Sequence, residues 1–125
     1  MGRVLIKPIE PLEMEFTDGT IKKALFNNEA VIIYTHEFGP LDNEAVKELK
    51  ERPYDAIAKF LYCGMKVLDK TVTLEEAQAI VIGGGESLAN EICTLMIENF
   101  MTTSNEETKK KFMKEVERIY KEIMQ

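Results

Sequence analysis

Two rhythms of apolar residues divide this chain. Up to about Thr35 they fall in short runs separated by turn signals, as strands do, and after Gly39 they recur at spacings of three and four, as helices do. Val4–Ile6 is a short apolar run ahead of Pro8, and Met14–Phe16 leads into Thr17-Asp18-Gly19-Thr20, with Ile21–Phe26 following. Asp-Gly between extended segments predicts a hairpin, because glycine accepts the positive φ of the turn. Asn27-Asn28 reads as a second turn, and Ala30–Thr35, rich in β-branched and aromatic residues, reads as a buried strand. The expectation is an antiparallel sheet of three or four strands, stopped by Gly39-Pro40.

Asn43–Glu51 predicts a short helix capped by Asp42 or Asn43, with Val46 and Leu49 turned inward. In Tyr54–Asp69 the residues Ile57, Phe60, Leu61, Met65 and Leu68 form one apolar stripe. Thr73 with Glu76 makes a capping box that opens a third helix, whose buried face is Leu74, Ala77, Ile80 and Val81. Gly83-Gly84-Gly85 is expected to end that helix, since each interior glycine costs about 1 kcal/mol relative to alanine. A fourth helix, Ser87–Met101, buries Leu88, Ile92, Leu95 and Met96, with Phe100 at its end. Ser104 and Glu107 form a second capping box before a last helix striped by Phe112, Val116, Ile119 and Ile123. The fold class is therefore α+β, a small N-terminal antiparallel sheet followed by four to five helices. Residues 1–103 make one domain, and residues 104–125 make an amphipathic helix that either docks on the body or binds a partner.

With 125 residues the chain is long enough to bury a core without disulfides or a structural metal. Its net charge of −6 argues against a phosphate-backbone ligand, which requires clustered cations. The imbalance lies in the body, with 10 Lys+Arg against 17 Asp+Glu through Thr103, whereas the remainder carries 6 against 5. Apolar runs such as Ala30–Tyr34 and Ala79–Ile82 are too short to span a bilayer, and Lys7, Pro8, Glu10 and Pro11 interrupt any secretory core, so a cytoplasmic protein is expected. Cys63 and Cys93 stand thirty positions apart and read as two buried thiols. Met65, Met96 and Met101 read as core residues, while Met113 and Met124 can serve the core, the surface or a partner.

The candidate chemistry is thin. Gly83-Gly84-Gly85 suggests a dinucleotide loop, but the third glycine position falls on Leu88 and a helix, not a strand, is expected before it. Asp18-Gly19-Thr20 resembles the end of a phosphatase nucleophile motif whose first acid is replaced by Phe16. His36 is the sole histidine, Ser87 lacks the glycines of a nucleophile elbow, and no acidic pair has metal-ligand spacing. The expectation is no enzyme, with no catalytic, cofactor-binding or metal site.

The order of elements resembles the tail assembly chaperones of long-tailed phages and prophages of Gram-positive bacteria. The matching parts are the extended start around Met14–Phe26, the helix Asp55–Leu68, the capped helix from Thr73 to Ala77 and the helix Ser87–Phe100. Leu61-Tyr62-Cys63-Gly64-Met65 is similar to that family's "LY-small-G-apolar" pattern. The resemblance implies a non-enzymatic protein of viral morphogenesis. Its partners would be the tape measure protein, tail tube subunits and, through self-association into a homo-oligomer, its own copies, with neither nucleic acid nor membrane among them. Apolar helix is what such a chaperone would hold, and Phe112, Val116, Ile119 and Ile123 are the candidate partner-binding residues. Lys109-Lys110-Lys111 is compatible with a slippery codon run giving a longer product, or with a solvated helix face. Two other readings stay open: a head–tail completion or other phage assembly protein, and a helix-turn-helix regulator built on the helices around Thr73–Gly83 and Ser87–Phe100. The second lacks any Lys or Arg between Thr71 and Met101 to anchor phosphates.

Overall fold

The computed structural model describes residues 9–40 and 43–99, together with Lys114 and Arg118. The chain forms strands β1 (Leu12–Glu15) and β2 (Ile21–Ala24), then helices α1 (Asn28–Phe38), α2 (Asn43–Glu51), α3 (Pro53–Leu68) and α4 (Leu74–Asn99). The sheet is one antiparallel pair with Leu12 opposite Ala24 and Glu15 opposite Ile21. This is the expected α+β class, with two strands among the described residues.

The hairpin turn forms as its residues demand. Gly19 donates to the Phe16 carbonyl at 2.9 Å, Phe16 donates to Thr20 at 2.8 Å, and Gly19 takes a φ of 88°. Asp18 accepts from the Thr20 N–H at 2.9 Å, which holds its carboxyl below the usual range. Alternation along β1 then puts Leu12, Met14 and Phe16 on the inner face and leaves the Glu13 and Glu15 side chains in solvent.

Ala30–Thr35 is a helix, not the expected strand. Asn27 is extended and its side chain accepts from the Ala30 N–H at 3.1 Å, so the presumed second turn is an N-cap, with Glu29 in the first turn. Gly39, at φ 99°, ends this helix instead of ending a sheet. The β-branched run favours a strand locally, but packing decides otherwise: Ala30 and Tyr34, four apart, are buried, and the Tyr34 ring lies 5.4 Å from both Phe38 and Phe60. The expected strand Val4–Ile6 lies outside the described residues.

The other helices follow the apolar stripes closely. α2 buries Leu49 and half-buries Val46, and α3 buries Ile57, Phe60, Leu61 and Met65. Leu68 was expected in that stripe but is 49% exposed, because the helix ends there and Asp69 turns away in an extended conformation. Thr73 caps α4 by accepting from the Glu76 N–H at 3.1 Å, while the Glu76 carboxylate pairs with Lys22 of β2.

α3 is the centre of the body and touches β2, α1, α2 and α4. Its Gly64 is the point of closest approach. A Cβ there would lie 2.7 Å from the Phe26 ring, and the Gly64 carbonyl accepts from Leu25 N–H at 2.8 Å. The strand end therefore rests directly on the helix backbone.

Two stability outcomes follow from this packing. Gly64→Ala is expected to lose about 1–3 kcal/mol through overpacking, against a helix-propensity gain of about 1 kcal/mol, and Phe26→Leu in the same chain is expected to recover part of the loss in urea titrations. Asn27→Ala is expected to cost about 1 kcal/mol in the same assay if α1 is capped as described, and nothing if the segment were a strand.

Candidate partner groove

α4 carries the chemistry-free feature that shapes the surface. The expected glycine break is real but falls on one residue. Gly83 and Gly84 are helical, and Gly85 alone leaves helical geometry, at φ 69° and ψ −160°, a region open in practice only to glycine. Gly84 serves contact instead: a Cβ would lie 2.3 Å from Leu88 Cδ2 and 2.8 Å from Leu88 Cβ. Gly83 faces open space, with nothing within 4 Å of a Cβ. The two halves of α4 thus meet at a one-residue kink, without the three- or four-residue turn that a helix-turn-helix uses.

A groove of about 800 Å³ runs between this face of α4 and β1. Met14, Phe16, Ala79, Ile80 and Leu88 supply its apolar lining, Gly83 leaves it open, and Glu13, Glu15 and Glu91 stand along it. The Lys22–Glu76 ion pair contributes to the same lining and ties the hairpin to α4. Five consecutive residues, Glu13–Thr17, line the groove, so its strand wall includes the edge of β1 and not only one face. A second, smaller depression lined by Glu10–Glu13, Glu91 and Leu95 shares Glu13 and Glu91 with it and extends the trough along α4.

Away from the groove, Glu37, Tyr62 and Lys66 form a closed network joining α1 to α3. Tyr62 donates to Glu37 at 2.7 Å, and Lys66 donates to Glu37 at 2.9 Å and to the Tyr62 hydroxyl at 2.8 Å. Burial works to raise the Glu37 carboxyl, but the hydrogen bonds from Lys66 and Tyr62 and the Lys66 charge outweigh it and hold it below its ordinary 4.5. Burial raises the Tyr62 phenol against the pull of Lys66, and the hydrogen bonds to Tyr62 and Glu37 raise Lys66. The phenol is therefore protonated at neutral pH and acts as a donor, which makes the network a cross-brace.

The residues singled out by chemistry do not assemble. His36 is exposed in the last turn of α1, Asp18 is in the hairpin turn, and Ile80–Ile82 is helical, so no strand precedes the glycines. Cys63 and Cys93 are both buried free thiols. Burial pushes Cys93 up to about 12, and burial together with the Glu37 charge raises Cys63, so neither is a thiolate at neutral pH. Among the described residues no group of His, Cys, Asp and Glu is placed to hold a metal, and no helix is long and apolar enough to cross a membrane.

The expected partner-binding stripe of Phe112, Val116, Ile119 and Ile123 lies outside the described residues, as do Met101, Met113, Met124 and the Ser104–Glu107 capping box. Arg118, which is described, donates to the Lys50 carbonyl at the end of α2 at 3.4 Å. The groove itself was missed in the sequence because Ile80 and Leu88 were read as core and Gly83 as part of a helix end. Its signal was the small residues Ala79, Gly83 and Ser87 at helical spacing, which can only be interpreted once β1 is placed across from them.

No family model matches the chain, and no curated protein or solved structure matches it either.

The brace has a pH signature. Glu37 is depressed in the folded protein, so its contribution is present above about pH 4.5 and lost as pH falls through the lower folded value; Lys66 is raised, so its share persists through neutral pH and is lost only in strong alkali. The stability difference between the parent and Glu37→Gln, read from urea midpoints by circular dichroism, is expected to be largest near neutral pH and to close as the pH falls below the ordinary 4.5.

Proposed function

We propose that this chain is a tail assembly chaperone of a long-tailed phage or prophage, and that its groove holds an apolar helical stretch of the tape measure protein during tail morphogenesis. The observation that carries the reading is a trough with an apolar lining, edged by Glu13, Glu15 and Glu91 and kept open where α4 lacks a side chain at Gly83. A helix laid in such a trough buries its apolar stripe while its flanking lysines meet the carboxylates, the helix-in-groove mode of recognition. The resemblance through Leu61–Met65 supports the same reading, and Gly64 of that stretch has a packing role that a functional side chain would not explain. Tail tube subunits and further copies of the chain are additional partners in this proposal, and no cofactor is invoked.

Gly83 provides a clean test because it lines the groove on a helical backbone and a Cβ there would meet nothing within 4 Å. Gly83→Leu is expected to keep or raise the melting temperature, with a helix-propensity gain of up to about 1 kcal/mol, yet to abolish recovery of the co-expressed tape measure protein in the chaperone-bound fraction. Gly85→Ala, by contrast, is expected to lose about 1–3 kcal/mol through backbone strain. Parent protein that fails to hold the tape measure protein in co-expression would move the assignment to a head–tail completion role.

A further inference from the structure

α4 buries different faces on the two sides of Gly85. Before it the core receives Ala77 and Val81, with Leu74 half-buried; after it the core receives Ala89, Ile92 and Cys93, while Leu88 and Leu95 are left half-buried beside the trough. A continuous helix turns about 100° per residue, and on that wheel Leu74, Ala77, Val81, Leu88, Ile92 and Leu95 fall within about 60° of one another. Ala89 and Cys93 fall outside that arc, Cys93 in the direction of Glu75 and Ile82, which are exposed. The kink thus turns the distal half by roughly 75° from the phase that the sequence repeats, placing two small residues in the core and two leucines at the groove.

We propose that residues 86–99 alternate between this kinked form and a continuous one, with Gly85 as hinge and Ile92 as pivot, and that the client groove belongs to the kinked form alone. In the continuous form Leu88 and Leu95 join Ala77 and Val81 in the core, Cys93 turns outward, and the trough loses its leucines. Glycine is the one residue that serves both forms at position 85, because φ 69° with ψ −160° lies in a region reserved for it and helical angles are also open to it. Gly84 gives the size of the movement. A Cβ there would lie 2.8 Å from Leu88 Cβ, whereas residues four apart on a straight helix stand about 5–6 Å apart, so straightening lifts Leu88 off Gly84 by about 3 Å. The two forms stay close in energy because three adjacent glycines weaken a continuous helix, which offsets what burying two leucines would gain.

This inference rests on the proposed function only for its consequence, that a client selects the kinked form; the hinge itself is tested on the protein alone. Under native conditions, maleimide labelling read by mass spectrometry is expected to modify Cys93 at least about tenfold faster than Cys63, which sits on α3 and is reached only through global unfolding. The strain of Gly85→Ala falls on the kinked form, so that variant is expected to speed labelling of Cys93 severalfold further and, when combined with Leu95→Cys, to slow labelling at position 95. Gly84→Ala removes the space that Leu88 occupies and is expected to act in the same way, which keeps the test intact should Gly85→Ala fail to fold. Opposite changes at positions 93 and 95 mark a rotation, since fraying of the helix end would expose both together. Cys93 reacting no faster than Cys63 in the parent overturns the proposal, as do changes at 93 and 95 that share a sign or are absent. Because no client is present, a negative result here is separate from a failure to hold the tape measure protein.

Discussion

The body of this protein is organised by the contact of the Phe26 ring with the backbone of Gly64. α3 is almost wholly buried from Ala56 to Met65, and a β-hairpin can lie against so crowded a helix only where one position lacks a side chain. The Leu25 N–H bond to the Gly64 carbonyl uses the same gap, so one glycine supplies both the space and the acceptor. From that anchor the direction of the hairpin is set, and with it the distance between β1 and α4.

That distance is what leaves a groove. β2 rests on α3 and is tied to α4 by Lys22 and Glu76, whereas β1 stands one strand further out, with its inner residues Met14 and Phe16 facing helix positions occupied by alanine and glycine. Three adjacent glycines contribute in three ways: Gly83 keeps the trough open, Gly84 lets Leu88 fold back, and Gly85 bends the helix. Their sequence identity is the same and their physical reasons are not.

Charge is distributed in keeping with this architecture. Two of the ion pairs join separate helices, Glu37 to Lys66 across α1 and α3 and Glu48 to Lys59 across α2 and α3, and they brace the helices around α3. They are partly exposed, so each contributes modestly, and the aromatic cluster of buried Tyr34, Phe60 and Tyr62 with half-buried Phe38 provides the larger share of cohesion. Glu13 pairs with Lys23 across the hairpin at 3.5 Å, and Glu15 and Glu91 stand beside the groove without bracing α3.

Local chemistry by itself determined the hairpin at Asp18-Gly19, the span of α2, the buried stripe of α3 and the Thr73 cap, because each depends on residues within a few positions of one another. It also determined the acidic character of the body. Only tertiary structure decided that Ala30–Thr35 is a helix, since its β-branched residues favour a strand until Tyr34 finds Phe38 and Phe60, and Asn27 can be read as a turn or a cap until that packing exists. Only tertiary structure separated the roles of Gly83, Gly84 and Gly85, and only it placed β1 across from α4. A groove is a relation between two surfaces more than fifty residues apart in sequence, and the spacing of residues along either one carries no information about the gap between them.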